Sequence, residues 1–240
     1  MVISVLSFFR MNMQDKVRHA ALNNALWCNA MCRAHGQPTE FTDQLWICRG
    51  TPPRYHSNLT TLQPSSKEAV EQESPRGFKD GFHDIDATDL GYQQLFQATW
   101  IWREPTVEAQ TMLNWRRVQT DEELQDWEAG WATGDEDAAN HSRQFPPSLL
   151  DNLNNAFLGV YQGDQPVAGC ILNLTEPVVG LSNTFALGID LSDLWHDFPL
   201  IVAQIFPNTP IVGYERGEDL EQAIAAGFEA IGNLRVWVRA

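Results

Sequence analysis

The chain has 240 residues, of which 43% are hydrophobic and 20% are charged, as in an ordinary globular protein with a substantial core. Its 31 acidic residues outnumber 16 basic ones, and the formal charge of −15 disfavours binding to nucleic acid or to an anionic membrane. Its four cysteines are too few and too scattered for a disulfide framework, which predicts reduced thiols in a cytoplasmic protein.

The first ten residues form a short apolar run. They lack the leading positive charge of a signal peptide and are too short to span a membrane. Met11 and Met13 follow directly, so the sequence leaves the translation start open between these two and Met1. Residues 1–10 are then expected to be a disordered extension.

The predicted elements begin with a helix. Apolar residues recur at three- and four-residue steps over 15–35, and Gly36 and Pro38 end the pattern. Alternation predicts a strand in TDQLWICRG (42–50) and a return strand in PPRYHSNLTTL (52–62).

The next stretch is polar and is expected to be a mobile surface loop over 63–76, with prolines near both ends. A strand follows, because Phe96, Ala98, Trp100 and Trp102 alternate onto one apolar face before Pro105 ends it.

From residue 111 the pattern is more regular. TMLNWRRVQT (111–120) predicts a strand, and Thr120 with Glu123 predicts a capping box at the start of a helix. The following segments predict, in order, an acidic loop (134–143), a short helix (146–156), two strands around a turn (157–174) and a third strand (177–187).

The last predicted elements are a helix over 190–206, a strand over 209–217, a helix over 218–227 and a strand over 228–240. Pro199 is expected to break or restart the first of these helices, and Gly227 to close the second as a left-handed cap. This order predicts an α/β (α+β) fold with a mixed central sheet and helices on both faces.

Two stretches carry a family resemblance. FLGVYQGDQPVAGCILN (157–173) resembles the second hairpin of the GNAT-type acyl-CoA N-acyltransferases, and EDLEQAIAAGFEAIGNLRVWVR (218–239) resembles their closing helix and strand. The whole chain is similar to a bacterial branch of this superfamily. The resemblance implies a GNAT-like domain at 111–240 and an N-terminal α/β half at 1–110 that covers or extends the sheet. The family has two terminal strands, so the second is expected from residues 40–105 or from a partner subunit.

The resemblance also implies a place for the co-substrate, acetyl-CoA or another acyl-CoA. It would lie where the strand containing 177–187 parts from the next parallel strand. The backbone of Phe185, Ala186, Leu187 and Gly188 is the expected cofactor-binding segment. Here the chain departs from the family, because Gly188 is the one glycine in the phosphate-binding loop, and Asp190 and Asp193 follow it.

The catalytic positions depart as well. The family often has a general-base glutamate near its fourth strand and a general-acid tyrosine four residues before Gly-Phe, where this chain has Ala223. The best replacements are Glu215 and Tyr214 as catalytic residues. Substrate-binding candidates are Ser182, Asn183 and Arg216. The alternative for residues 214–216 is a solvated turn that caps the next helix.

Other constellations are weaker. Cys28, Cys32 and His35 share a helix face, but zinc sites usually combine two separated ligand pairs, so a buried face is favoured and no metal is expected. Ser182 with His196 and Asp197 lacks the second glycine of a nucleophile elbow, so a serine hydrolase is disfavoured.

Two functional hypotheses remain. In the first, the protein is an acyl-CoA-dependent N-acyltransferase that transfers an acetyl group to a small-molecule or peptide amine acceptor. In the second, it is a catalytically degenerate GNAT-fold module for binding or assembly. The acceptor, the acyl-chain length and self-association as a homodimer are left open by the sequence.

Overall fold

The computed structural model describes residues 11–107, 110–134 and 143–240. The residues predicted as an N-terminal extension and most of the predicted acidic loop therefore lie outside the described part. The α-helices are α1 (Met13–Ala34), α2 (Lys67–Glu73), α3 (Asp121–Trp131), α4 (Leu191–Ile205) and α5 (Gly217–Ala225).

The strands of the described chain form one mixed sheet. They are β1 (Thr39–Phe41), β2 (Leu45–Cys48), β3 (Leu59–Thr61), β4 (Gly77–Asp80), β5 (Tyr92–Arg103), β6 (Trp115–Arg117), β7 (Asn155–Gln162), β8 (Gln165–Thr175), β9 (Val178–Ala186), β10 (Ile211–Glu215) and β11 (Glu229–Arg239). Their order across the sheet is β1-β2-β3-β4-β11-β5-β10-β9-β8-β7-β6.

Strand β5 lies between the last two strands of the chain. It pairs antiparallel with β11 from Tyr92 to Trp102 and with β10 from Thr99 to Arg103. The extra strand that the sequence analysis expected for this sheet therefore comes from the chain's own N-terminal half.

Alternating side chains divide the core between the two faces of the sheet. In β10, Ile211 packs in the cluster that contains α4 and α5, whereas Val212 packs with α1. In β5, Ile101 lies on the α4–α5 side and Trp100 on the α1 side. Helix α3 covers the α1 side farther along the sheet and buries Trp127.

Helix α1 is fixed to the sheet by a reciprocal pair of amides. The side chain of Asn23 donates to the Asn173 backbone carbonyl (3.0 Å), and the side chain of Asn173 donates to the Asn23 carbonyl (3.4 Å). Gly180 of β9 lies beneath them, where an added Cβ would approach Asn23 Oδ1 to 2.1 Å. A glycine in β9 thus allows α1 to lie directly on the strands that bound the site.

Several local predictions are confirmed. Thr120 and Glu123 form the capping box of α3, and Gly227 closes α5 with a φ of +85°. Strands β7, β8 and β9 form the predicted antiparallel set.

Other local predictions were wrong. The predicted loop at 63–76 contains α2, whose good helix formers pack Val70 into the core. Helix α4 continues through Pro199, which is buried inside it. The predicted helix at 146–156 is a single 3₁₀ turn (Pro147–Leu149), and the predicted strand at 111–120 pairs over three residues.

No helix in the described ranges is both long enough and apolar enough to cross a membrane.

The position of β5 predicts that residues 111–240 do not fold alone. Without β5, β10 and β11 lose their shared partner, and each exposes an unpaired backbone edge. We expect the fragment to be insoluble or to unfold without a cooperative transition in urea, and co-expression of residues 11–110 to restore folding. A cooperative transition of the fragment by itself would contradict this dependence.

Candidate functional site

The site begins where two parallel strands separate. Strands β9 and β10 pair at two positions, Val179 with Ile211 and Gly180 with Val212. Beyond them β9 continues to Ala186 and β10 to Glu215 without pairing to each other. The result is an open cleft at the carboxyl ends of both strands, where ligands bind in open sheets.

A cavity of about 500 Å³ occupies this cleft and extends beneath α1. Residues 181–184 of β9 and 213–216 at the end of β10 line one part of it, and Asn24 and Lys79 line another. Tyr55 contacts Trp131 edge-to-face at the cavity border, with ring centroids 5.7 Å apart. The side chains of Phe185 and Trp195, either of which could have filled the cleft, are not among the residues that line this cavity.

A bulge in β9 shapes the cavity wall. The register with β8 shifts between Ile171, opposite Ser182, and Gly169, opposite Phe185, and Asn183 within this interval has a φ of +53°. Bulges redirect side chains and often lie beside functional sites. The Ser182 hydroxyl is buried and has no hydrogen-bond partner among the described residues, and Ser182 is one of the residues that line the cavity.

Glu215 ends β10 and borders the cavity. Burial, together with the negative charge of Asp219, raises its pKa to about 8. The Trp195 indole N–H donates to Asp219 (3.2 Å) and fixes that second carboxylate in place. Glu215 is therefore a carboxyl group whose proton equilibrium lies near neutral pH.

Tyr214 points to the opposite side of the strand. Its ring packs edge-to-face on Trp100 at 5.5 Å, and the ammonium of Lys79 lies 4.5 Å above the ring centre. Arg216 precedes α5 and places its guanidinium 4.8 Å from the centre of the Phe96 ring. All five predicted catalytic and substrate-binding residues line one cavity: Ser182, Asn183, Tyr214, Glu215 and Arg216.

His56 is a site residue that the sequence analysis missed. Burial and the nearby positive charge of Lys79 lower its pKa to about 4, although its bond to Arg54 opposes the shift. Its Nδ1 lies 2.8 Å from the Arg54 carbonyl, which can only accept a hydrogen bond. The neutral ring therefore carries its proton on Nδ1 and presents Nε2 as an acceptor.

The predicted cofactor-binding segment lies at the end of β9, outside the cavity lining. The backbone N–H of Leu187 donates to Val167 (2.6 Å), and the Phe185 ring packs edge-to-face on Trp127 at 5.3 Å. Ala186 lies opposite Ala168 in the sheet, and Gly188 follows with a φ of +82°.

The start of α4 is acidic. Asp190 caps it by accepting hydrogen bonds from the Ser192 backbone N–H (2.9 Å) and hydroxyl (2.8 Å), which lower the pKa of Asp190. Asp193 is exposed in the first turn. The helix dipole is therefore already matched by carboxylates, and these residues do not fit a diphosphate.

The cysteine-rich face of α1 is buried. Cys28, Cys32 and Cys48 pack with Trp46, and burial raises the pKa of the Cys28 and Cys32 thiols. Nowhere in the described ranges do three or more His, Cys, Asp or Glu side chains group in a way that could hold a metal ion.

Comparison with known proteins identifies the fold. No protein-family model matches the sequence, and no curated protein is significantly similar to it. Among solved structures, a GCN5-related N-acetyltransferase from Kribbella flavida superposes with a TM-score of 0.59 at 11% identity, covering 96% of each chain. A GNAT-family acetyltransferase from Novosphingobium aromaticivorans gives 0.58 at 8% identity, over 92% of this chain and 99% of the other.

A conserved protein of unknown function from Staphylococcus epidermidis also matches. Its TM-score is 0.57 at 12% identity, over 85% of this chain and 94% of the other. The chain therefore has the fold of the GNAT-type N-acetyltransferases, as the resemblance in its sequence implied. At these identities the likeness establishes the fold and leaves the activity open.

The pKa of Glu215 predicts a pH-dependent contribution to stability. The folded state holds this proton up to about pH 8, whereas the unfolded chain releases it near 4.5. Folding is therefore coupled to proton uptake between these values, and the free energy of unfolding should fall as the pH rises through this window.

The substitution Glu215→Gln removes the ionisable proton and should remove this part of the decline. Melting temperatures of both proteins from pH 4 to 9 should converge at low pH, with the variant relatively more stable at pH 9. Parallel curves across the whole range would contradict the raised pKa.

Proposed function

We propose that the protein is an acyl-CoA-dependent N-acyltransferase that transfers an acyl group, acetyl in the simplest case, to an amine. The observation that carries the proposal is the open cleft between β9 and β10, which leads into a cavity bordered by a carboxyl group with a pKa of about 8. The GNAT fold of the chain supports the same chemistry.

The cleft fits the extended thioester arm of acyl-CoA, whereas the start of α4 does not fit its phosphates. Between β9 and β10 an extended chain has room to lie against unpaired strand edges. The Leu187 backbone N–H donates to Val167 of β8. Backbone N–H groups of successive strand residues point to opposite sides, so the N–H of the preceding residue, Ala186, points away from β8 and toward the cleft. At the start of α4 the phosphates would be repelled by the carboxylates of Asp190 and Asp193.

Two residues of the cavity have separate roles in the proposed acyl transfer. Acyl-CoA would supply the thioester: the amine nitrogen bonds to its carbonyl carbon, the C–S bond breaks, and CoA leaves as a thiolate that takes up a proton from water. Glu215 in its ionised form accepts the proton that the amine loses, and a base with a pKa near the working pH is well matched to this task. Ser182 lines the same cavity, and its unpartnered hydroxyl would hydrogen-bond the reacting groups.

Tyr214 lies on the far side of β10 from Glu215, at 3.5 Å from the Lys79 ammonium. Tyr214 and Lys79 together form part of the cavity wall on the α1 side of the sheet. We therefore assign the α1 side to the amine acceptor and the β9–β10 cleft to the acyl donor.

A cytoplasmic location and the absence of nucleic-acid binding stay predictions, supported by the free, buried cysteines and the acidic charge.

The second candidate is a binding module that keeps the fold without transferring an acyl group. Two observations favour it: the carboxylates at the start of α4, and Ala223, a buried residue without a hydroxyl where the family often has its tyrosine. The first experiment below separates the two candidates.

Calorimetric titration with acetyl-CoA and with a longer acyl-CoA tests the proposal directly. We expect micromolar binding, followed by release of free CoA thiol when a panel of amines is added. The rate constant kcat/KM should rise with pH to about 8, and Glu215→Gln should lower it by about a hundredfold or more and remove that rise. No binding at millimolar ligand and an unchanged melting temperature would favour the second candidate.

A further variant measures the cost of the acidic helix start. Asp193→Asn removes one exposed negative charge near the place where phosphates lie in related folds. We expect acetyl-CoA affinity to increase about two- to fivefold at low salt, with the gain diminishing as salt is added. The matched control is Asp43→Asn, an exposed residue between β1 and β2. An equal gain in the control would attribute the effect to net charge alone.

A further inference from the structure

Lys79 is a buried cation that has no ionic partner within the described ranges. Its exposed fraction is 5%, close to the 3% of Lys16, the other buried lysine of the described chain. The ammonium of Lys16 pairs with Glu104 at 3.1 Å and Glu229 at 2.9 Å. Lys79 forms no ion pair with any carboxylate of the described residues. Buried charges are normally paired, so this arrangement calls for an explanation.

The contacts of Lys79 are with neutral groups. Its ammonium donates to the Asn24 side-chain carbonyl, lies 3.5 Å from the Tyr214 hydroxyl and sits over the Tyr214 ring. An ammonium has three N–H donors, so one of them is left over. The side-chain NH₂ of Asn24 and the hydroxyl proton of Tyr214 also find no acceptor among the described residues. The donor groups of Lys79, Asn24 and Tyr214 therefore have no negatively charged acceptor among the described residues.

This donor cluster, Lys79 with Asn24 and Tyr214, can be reached by a ligand. All three side chains line the 500 Å³ cavity. Lys79 and Tyr214 also line a second cavity of about 540 Å³ on the same side of the sheet, together with Phe96 and Val236. The cluster thus lies at the junction of the two cavities, where a bound group can contact it directly.

We propose that the donor cluster binds a carboxylate of the acceptor, so that the acceptor is an amino acid or a short peptide with a free carboxyl group. This assignment of the acceptor rests on the proposed function. A single ammonium with two neutral donors matches one negative charge and the two oxygens of a carboxylate. A phosphate dianion would need a further cation within the cluster. Arg216 lines the same cavity, but its guanidinium lies over the Phe96 ring at 4.8 Å and forms no hydrogen bond with the cluster among the described residues. The neighbouring His56 ring is neutral, with its Nδ1 proton donated to the Arg54 carbonyl.

The opposite end of the site favours the other half of such a molecule. Glu215 and Asp219 both border the 500 Å³ cavity. Arg216 lines it as well, but its guanidinium lies over Phe96 on the α1 side of the sheet, so the two carboxyl groups favour an amine over an anion at their end. The site is therefore polarised, with a cation near α1 and carboxyl groups near the cleft. A ligand with an amine and a carboxylate complements both ends.

The test uses a matched pair of probes on the full chain. Alanyl-alanine and its C-terminal amide differ in the carboxylate alone, and O-phosphoethanolamine offers an amine with a phosphate. Calorimetry of the wild-type protein should show the free dipeptide binding at least about tenfold more tightly than the amide, as expected for a charge-assisted hydrogen bond. The phosphate probe should bind more weakly than the dipeptide.

The decisive variant is Lys79→Met, which keeps the length of the stem and removes the charge. We expect it to abolish the preference for the free carboxylate while the melting temperature stays equal or rises, because an unpaired buried charge has been removed. Lys67→Met is the control, since Lys67 is on α2, pairs with Asp89 and does not line the cavity. It should keep the wild-type preference. If Lys79→Met does not fold, Asn24→Ala should weaken the preference instead.

Each other outcome overturns the proposal. These outcomes are no binding of any probe, equal binding of acid and amide to the wild type, tighter binding of the phosphate probe, and a preference that survives in Lys79→Met.

Failure of the proposed function is a separate result. If no amine supports CoA release from acetyl-CoA but the Lys79-dependent preference is present, the carboxylate site stands and the transfer activity does not. If amines with and without a carboxylate react equally well, in the wild type and in Lys79→Met alike, the activity stands and the carboxylate site does not.

Discussion

The hydrogen bonding of β10 to β5 is the constraint on which the site depends. All five residues of β10 pair with β5, so this strand is held along its whole length from one side. Beyond Val212, β10 therefore stays in the sheet without hydrogen bonds to β9, and the two strands can separate. The cleft exists because β5, a segment of the N-terminal half, supplies the bonds that β9 does not. The N-terminal half also supplies α1, Asn24, His56 and Lys79, so both walls of the cavity depend on it.

Much of the fold could be predicted from local signals in the sequence. The capping box at Thr120 and Glu123 and the closing Gly227 are short-range features that tertiary contacts do not override. The failures have physical reasons. In 63–76 the prolines suggested a loop, but Val70 finds a place in the core, and its burial stabilises a short helix. Pro199 lacks a backbone donor, yet its buried ring and the apolar residues around it keep α4 continuous.

The site was predictable only in part. The cluster of Ser182, Tyr214 and Glu215 followed from the order of strands, because residues at the carboxyl ends of adjacent parallel strands must lie together. Lys79 could not be found in this way. It reaches Tyr214, 135 positions further along the chain, because β4 pairs with β11, β11 with β5, and β5 with β10. No short-range pattern marks such a contact, and the perturbed pKa of Glu215 likewise arises from burial that the sequence does not record.

The place of β11 in the sheet has a consequence for biosynthesis. Strand β11 lies between β4 and β5, although the ten other strands of the described residues all precede it in the chain. Until residues 229–239 have left the ribosome, β4 and β5 each expose a backbone edge that only β11 will cover. The nascent chain thus presents two open strand edges for most of its translation, one of them in the twelve-residue β5 with its row of aromatic side chains. Chaperone protection of the nascent chain should therefore matter most between the synthesis of β5 and that of β11.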